Sequence, residues 1–249
     1  MIIIKSDAEI EMMKVPAKLT AEILRDLEDF IKPGISTHDI DQFVETRIRE
    51  GGMIPAFKGY GGFPASACVS VNEVIVHGIP SKTKKLREGD IVSVDAGAIY
   101  EGWYSDMART YAVGKISPEA EKLVRVTEES FFEGLKYCVA GNYLSDVSHA
   151  IQTHLESNGF GVIRDYVGHG LGREMHEQPA VPNYGRPGRG PKLMKGMVLA
   201  IEPMVSAGTY EVDVLSDEWT AVTRDGSLAA HYENTVVITD GEPLVITLL

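Results

Sequence analysis

Four carboxylates stand inside apolar, strand-like segments of this 249-residue chain. Asp95 interrupts IVSVDAGAI, Asp106 interrupts WYSDMARTYAV, Glu202 interrupts MVLAIEPMV and Glu233 interrupts HYENTVVIT. Burying an unpaired carboxylate costs on the order of several kcal/mol or shifts its pKa by a few units. No lysine or arginine is placed to neutralise all four. A pair of divalent cations would balance their four negative charges.

Each carboxylate also has an ordinary structural explanation. Asp106 fits a surface acid on a half-solvated sheet, whereas Asp95 fits that description poorly. Glu202 could be buried and satisfied by backbone donors, and Glu233 could lie exposed on an edge strand. Four ordinary explanations at once are less expected than one shared site.

Three histidines lie beside glycines or close to them, where the backbone can approach a ligand closely. They are His77 (VIVHGIP), His169 (YVGHGLG) and His176 (REMHEQP). Carboxylate oxygens with one or two imidazoles favour Mn, Fe(II), Co or Zn, and two such ions activate water for hydrolysis. Structural roles are predicted for the other histidines considered, His38, His149 and His231.

Composition narrows the classes of partner. Lysine and arginine number 24 against 36 acidic residues, a net charge of −12, which disfavours nucleic acid or an anionic membrane as the main partner. Two cysteines, Cys68 and Cys138, fit a reducing compartment, so the cytoplasm is expected. The N-terminal residues lack the pattern of a signal peptide, and no run of about 18 apolar residues predicts a membrane span.

Capping residues and Gly/Pro breaks predict four helices and a hairpin. Pro16 is expected to bend or split the first helix. The hairpin turn falls at Tyr100-Glu101, which would set Asp95 opposite Asp106, or at Glu101-Gly102, which would make them diagonal on the same face. The predicted helices run from Ser6 to Lys32, Thr37 to Glu50, Ser117 to Val139 and Ser145 to Ser157.

An internal repeat organises these elements. Residues 34–52 align with 141–159 at an offset of 107, and the same offset carries Asp95 onto Glu202. The repeat predicts one α+β domain, 1–249, with pseudo-twofold halves of about 18–113 and 125–238 whose sheets meet at a shared site.

Five separated segments resemble the successive motifs of the type I methionine aminopeptidases. They are VNEVIVHGIP, SVDAG followed by YSDMART, YVGHGLGREMHEQP, AIEP and YENTVVIT, and the resemblance covers nearly the whole chain. It implies the pita-bread fold of creatinase, prolidase and aminopeptidase P. It also implies removal of the initiator methionine from nascent proteins, with a small uncharged penultimate residue preferred, by water activated at two divalent metal ions.

The resemblance assigns roles that spacing alone does not. Asp106 and Glu233 match ligands that bridge the two ions, Asp95 a ligand of one ion, and His169 and Glu202 ligands of the other. Glu202 also matches the group that passes a proton from water to the leaving amine. His77 and His176 match histidines that bind the peptide and stabilise the tetrahedral intermediate, so the implied catalytic residues are His77, His176 and Glu202.

The resemblance also implies a pocket for the substrate methionine side chain. Tyr60 and Phe63 could instead serve loop packing, and Cys68 could be a small buried hydrophobe. Phe63 and Met175 stand where many members carry Tyr and Phe, so the pocket shape is expected to differ. The implied pocket residues are Tyr60, Phe63, Cys68, His77 and Trp219.

Three further expectations follow. Asn72 and Val74 match a monovalent-cation loop of some members, but Ala229 replaces a serine seen there, so that ion is not predicted. A monomer acting on the N-terminal peptides of nascent proteins is expected, and docking to the ribosome is left open. The competing hypotheses are an Xaa-Pro peptidase of the same fold and a non-catalytic peptide-binding relative.

Overall fold

A computed structural model describes residues 1–249. Its first helix begins at the predicted capping box, in which Ser6 and Glu9 exchange hydrogen bonds. That helix continues through Pro16, so of the expected bend or split the split is wrong. One face of the helix, including Met13 and Leu24, is fully buried, and this packing holds the helix across the missing hydrogen bond. The helices are α1 (Asp7–Phe30), α2 (Thr37–Glu50), α3 (Pro118–Leu135) and α4 (Leu144–Ser157), with a 3₁₀ turn at Tyr60–Gly62.

The remaining elements are short strands. In chain order they are β1 (Ile54–Pro55), β2 (Ala67–Val71), β3 (Val74–Val76), β4 (Ile91–Ala96), β5 (Ala98–Tyr100), β6 (Trp103–Tyr104), β7 (Met107–Ala112), β8 (Gly161–Val162), β9 (Gly168–Gly170), β10 (Glu177–Val181), β11 (Val198–Ile201), β12 (Met204–Ser206), β13 (Val212–Val214), β14 (Ala221–Thr223), β15 (Ala229–His231), β16 (Asn234–Val237) and β17 (Leu244–Val245).

Each pair of helices packs on strands from its own part of the chain. Helices α1 and α2 share a buried cluster with β2, β4 and β7, which form one sheet in the order β2-β4-β7. Helices α3 and α4 share another with the sheet β10-β9-β11-β16-β17. We call these two the large sheets. Three further sheets, built from shorter strands, complete the fold: β1-β5-β6, β15-β12-β8 and β13-β14-β3. The predicted α+β class is therefore confirmed.

The two large sheets are joined where β7 meets the start of β16. Ala108 and Glu233 form an isolated antiparallel bridge, and the Glu233 N–H donates to the Ala108 carbonyl at 3.0 Å. Thr235 Oγ1 donates to the Asp106 carbonyl at 2.8 Å. The Arg109 guanidinium donates to the Glu233 carbonyl at 2.6 Å. Two of the anomalous carboxylates therefore lie at the junction of the sheets.

The hairpin that carries Asp95 and Asp106 turns at Glu101-Gly102. Tyr100 pairs with Trp103, and both turn residues have positive φ, +48° and +78°. A two-residue turn of this kind matches the twist of the flanking strands, and glycine at its second position adopts positive φ at little cost. Asp95 pairs with Ala108, so Asp106 lies diagonal to it. The structure thus selects the second of the two predicted registers.

None of the helices combines the length and the apolar character that a bilayer crossing would require.

Candidate active site

The four carboxylates and His169 converge from strands of both large sheets. Asp95 lies near the end of β4, and His169 is the central residue of β9. The other three carboxylates flank strand ends: Asp106 directly precedes β7, Glu202 directly follows β11 and Glu233 directly precedes β16. Strand ends provide both a fixed backbone and a side chain free to leave the sheet.

The ligand atoms of these residues are close together. Candidate atoms of Asp106, His169 and Glu233 all lie within 4.8 Å of one another, and all three residues are buried. His169 Nε2 lies 3.5 Å from Asp106 Oδ2 and 3.6 Å from Glu202 Oε1. Asp95 and Glu202 are partly exposed to the adjoining cavity.

Burial and mutual repulsion dominate the electrostatics. Burial raises the pKa of Asp106 to about 8. Burial, and then the neighbouring Asp106 charge, raise the pKa of Asp95, Glu202 and Glu233 well above the ordinary carboxyl range. Oxygens of Asp95, Asp106 and Glu233 are buried without a hydrogen-bond partner. The cluster therefore requires either protons or cations.

The imidazole of His169 is oriented to act as a ligand. Its Nδ1 lies 2.9 Å from the Gly170 carbonyl, which can only accept, so Nδ1 carries the proton. Burial lowers the pKa of this ring. Nε2 therefore presents a lone pair to the carboxylates, the usual arrangement of a metal-bound histidine.

The glycines beside His169 have a steric reason. A Cβ at Gly168 would collide with the Ala200 carbonyl of β11, and one at Gly170 with the Gln178 carbonyl of β10. Strand β9 lies between those two strands, so both neighbours of His169 must be glycine for it to fit.

These observations meet the requirements of a divalent-metal site. Unpartnered carboxylate oxygens and one imidazole lone pair are the donors that hard and borderline divalent cations prefer. A cation would also offset the burial that raises all four carboxyl pKa values, and the repulsion that adds to it at Asp95, Glu202 and Glu233. The residues present therefore fit a divalent metal, as the sequence predicts.

A cavity of about 230 Å³ opens beside the cluster. Every site residue predicted from the sequence lines it: Tyr60, Phe63, Cys68, His77, Asp95, Asp106, His169, His176, Glu202, Trp219 and Glu233. Met175, which the sequence analysis placed at the pocket, also lines it. Further lining residues that the sequence did not assign to the site include Phe57, Val76, Tyr166 and Met204. Apolar side chains thus surround one end of the cavity and carboxylates the other.

His77 and His176 both line this cavity and have different neighbours. The His176 ring is 4.3 Å from that of His169, and its Nδ1 lies 2.8 Å from Tyr60 Oη. The His77 ring packs edge-on against Tyr166 at 5.2 Å, and its φ of +58° places it in the left-handed region. Burial lowers the pKa of each histidine to about 4, so both rings are neutral at pH 7.

The apolar end is closed by an aromatic wall. Phe63 and Trp219 pack edge-to-face with ring centroids 5.2 Å apart, and the Trp219 ring approaches Gly61. Burial raises the pKa of the Cys68 thiol well above its usual range, so Cys68 is a neutral, buried lining residue.

His231 belongs to the site, although the sequence did not place it there. His231 is buried, and its unpartnered Nε2 lies 3.8 Å from carboxylate oxygens of both Glu202 and Glu233. The predicted purely structural role of His231 is therefore incomplete. The sequence did contain one indication of this role. His231 precedes Glu233 by two residues, and residues two apart in an extended segment point to the same side.

Glu45 holds the loop that carries Tyr60 and Phe63. Its carboxylate accepts hydrogen bonds from Lys58 Nζ at 2.7 Å and from Ser66 Oγ at 3.0 Å, at the two ends of that loop. The hydrogen bond from Lys58 is the main reason that the pKa of Glu45 falls to about 2. The loop that contributes Phe63 to the aromatic wall is thus anchored to α2.

Glu45→Gln is expected to lower the free energy of unfolding by about 1 to 2 kcal/mol at pH 7, since partial solvent screening reduces the full effect of the pKa shift. A depressed carboxyl pKa stabilises the fold above the unfolded value near 4.5, and this contribution is lost as pH falls towards 2. Urea unfolding at pH 7 and pH 3 measures the difference, with the exposed Glu50→Gln as control. Equal destabilisation at both pH values would contradict this interpretation.

The fold and the site together define a metallopeptidase. Residues 11–240 match the sequence model of a family described as "Metallopeptidase family M24". A methionine aminopeptidase of Clostridium acetobutylicum is 61% identical over 248 residues, which cover 100% of this chain and 99% of that protein. The chain therefore belongs to metallopeptidase family M24 and, within it, to the type I methionine aminopeptidases.

Solved structures agree with this assignment. The crystal structure of methionine aminopeptidase from Thermotoga maritima superposes with a TM-score of 0.98 at 52% identity and covers 100% of both chains. A prolidase from Pyrococcus furiosus superposes with a TM-score of 0.79 at 24% identity, over 99% of this chain and 66% of that one. The second likeness shows the shared pita-bread fold alone.

Proposed function

We propose that this protein removes the N-terminal initiator methionine from nascent proteins and prefers a small, uncharged penultimate residue. The observation that carries the proposal is the single cavity in which an apolar, aromatic-walled end adjoins a cluster of four carboxylates and one imidazole. The relatives of high identity carry the name methionine aminopeptidase. Nascent N-terminal peptides are thus the proposed partners, and a cytoplasmic monomer with one catalytic domain is the proposed state.

Two divalent ions are the proposed cofactors, and Co, Mn, Fe(II) and Zn all suit the donors. When bound, such ions polarise a peptide carbonyl and lower the pKa of water enough for it to act as a nucleophile at neutral pH. The residues proposed to hold them are Asp95, Asp106, His169, Glu202 and Glu233.

The side chains of the cavity then have distinct tasks. The neutral imidazoles of His77 and His176 donate hydrogen bonds to the peptide and to the oxygen on which charge develops. With Tyr60 Oη donating to His176 Nδ1, the second ring nitrogen carries the proton and is free to donate to the substrate. Glu202 takes the proton released by the attacking water and delivers it to the leaving amine.

The apolar end of the cavity is the proposed site of the methionine side chain. Phe63, Cys68 and Trp219 supply a neutral surface, and the adjoining Met175 and Met204 are flexible thioethers that adapt to an unbranched side chain. The bond to be cleaved then lies at the carboxylate end, one residue from the start of the peptide.

Cleavage of Met-Ala-Ser against an Xaa-Pro dipeptide tests the proposed function. Efficient release of methionine with little Xaa-Pro hydrolysis is expected. Preference for the Xaa-Pro substrate would favour a prolidase-like activity, and failure to cleave either peptide with Mn(II) or Co(II) present would favour a non-catalytic binding protein.

Replacing His77 with alanine is expected to reduce kcat by about 10²- to 10³-fold, since it removes a donor near the developing charge. Mn(II) affinity should stay within a few-fold of wild type, because His77 is not among the proposed ligands. Steady-state kinetics and calorimetric Mn(II) titration measure the two effects. A variant with wild-type kcat would remove His77 from the catalytic assignment.

A further inference from the structure

The N-terminal segment, residues 1–5, lies against the edge of the active site. The Lys5 N–H donates to the Gly196 carbonyl at 2.8 Å, which fixes the segment beside the turn before β11. Met1 and Ile3 line an open groove that meets the active-site cavity at His169 and His176. The segment thus reaches residues that lie far from it in sequence.

Lys5 forms a buried ion pair with Glu177. The ammonium contacts Glu177 Oε2, and the two side chains are only 2% and 3% exposed. No other lysine or arginine side chain contacts this carboxylate. A buried carboxylate that loses its only cationic partner must regain water or a proton, and admitting water requires the packing around it to open.

Glu177 in turn closes the loop that carries Met175 and His176. Its other oxygen, Oε1, accepts the Arg173 N–H at 2.9 Å. Gly172, at the start of the loop, packs so closely on this ion pair that an added Cβ would collide with Glu177 Oε1 and Lys5 Cε. Met175 and His176 lie between these anchors, and both line the cavity.

We propose that Lys5 is a positioning residue of the active site, which acts through Glu177 to place His176 at the scissile bond and Met175 against the methionine side chain. This role rests on the proposed aminopeptidase function for its kinetic consequences. Neither Lys5 nor Glu177 lines the active-site cavity, so the effect is transmitted by the loop. A displacement near 1 Å of a catalytic group can cost about 10²-fold in rate.

The test compares Lys5→Met, Lys5→Arg and the double variant Lys5→Met/Glu177→Gln with wild type. Lys5→Met is expected to lower kcat on Met-Ala-Ser about 10- to 100-fold. Lys5→Arg keeps the charge and should recover most of the activity. The double variant removes the stranded carboxylate charge and should be faster than Lys5→Met alone. Lys14→Met, at an exposed ion pair with Glu11, is the matched control and should behave as wild type.

Two readouts separate positioning from general damage. Mn(II) binding by the chelator-treated protein should be unchanged in Lys5→Met, and the imidazole NMR signals of His176 should move. A wild-type kcat in Lys5→Met would overturn the proposal. So would a loss of Mn(II) binding in proportion to the loss of kcat, or a double variant no faster than Lys5→Met. If wild type cleaves no methionyl peptide, the proposed function fails, and unmoved His176 signals alone then overturn the positioning role.

Discussion

Asp106→Ala should abolish cleavage of Met-Ala-Ser, with kcat/KM at least about 10³-fold below wild type. Asp106 is 3% exposed, lies 3.5 Å from His169 Nε2, and is among the residues that would hold the metal. Its loss removes a donor that no neighbouring residue can replace. Bound metal, measured by elemental analysis after equilibration with Mn(II), should fall in parallel.

Replacing Asp106 should, in contrast, increase the thermal stability of the metal-free protein. Burial raises the pKa of Asp106 to about 8, so ionising this carboxyl is unfavourable in the fold. A raised carboxyl pKa gives stability that is present below the unfolded value near 3.8 and is lost as pH rises through 8. Asp106→Asn should therefore unfold at a higher temperature than wild type when both are assayed with chelator at pH 8.

Asp240→Ala is the control for both measurements, since its side chain is 73% exposed and pairs only with Lys195. An Asp106→Ala variant with near-normal turnover would refute the assigned mechanism. A metal-free Asp106→Asn protein less stable than wild type would show that the carboxylate has a compensating partner within the chain.

Removal of metal is expected to eliminate activity, and two equivalents of Mn(II) or Co(II) per chain should restore it. The ligands come from both large sheets, so metal binding should also stabilise the fold, by about 2.7 kcal/mol for each bound ion when free metal is 100 times that ion's dissociation constant. Calorimetric titration and thermal unfolding of chelator-treated protein give stoichiometry and stabilisation. Reconstitution with one metal at a time compares the candidate ions.

Full activity at a single equivalent would contradict the proposed dinuclear site, although it would leave the divalent-metal requirement intact. Activity that survives exhaustive chelation would contradict both. The Glu45→Gln variant is a useful companion, because its expected instability has no dependence on metal.

The carboxylate positions could be predicted because a single charge in an apolar strand is visible without any knowledge of the fold. Spacing alone could not decide which of His77, His169 and His176 is the proposed metal ligand. That choice depends on β9 lying between β10 and β11, which aims only His169 directly at the carboxylates, and these pairings join distant parts of the chain. The resemblance supplied that choice, and the geometry supports it.

Other features depend on contacts that leave little trace in sequence. The Lys5–Glu177 pair joins residues 172 positions apart, and neither residue belongs to a motif that signals the other. His231 was predicted to have a structural role because a lone histidine usually has one. Only the folded chain brings its ring close to Glu202 and Glu233. Pro16 was expected to bend or split α1, but tertiary packing keeps the helix continuous through it.

The junction of the two sheets at Ala108 and Glu233 has a consequence during biosynthesis. The proposed ligands extend from residue 95 to residue 233, and β16, which follows Glu233, pairs with β17 at Leu244–Val245. A growing copy therefore lacks a ligand and the strand that holds it until translation has passed residue 245. The site can form only when the whole segment from Asp95 to Val245 has left the ribosome.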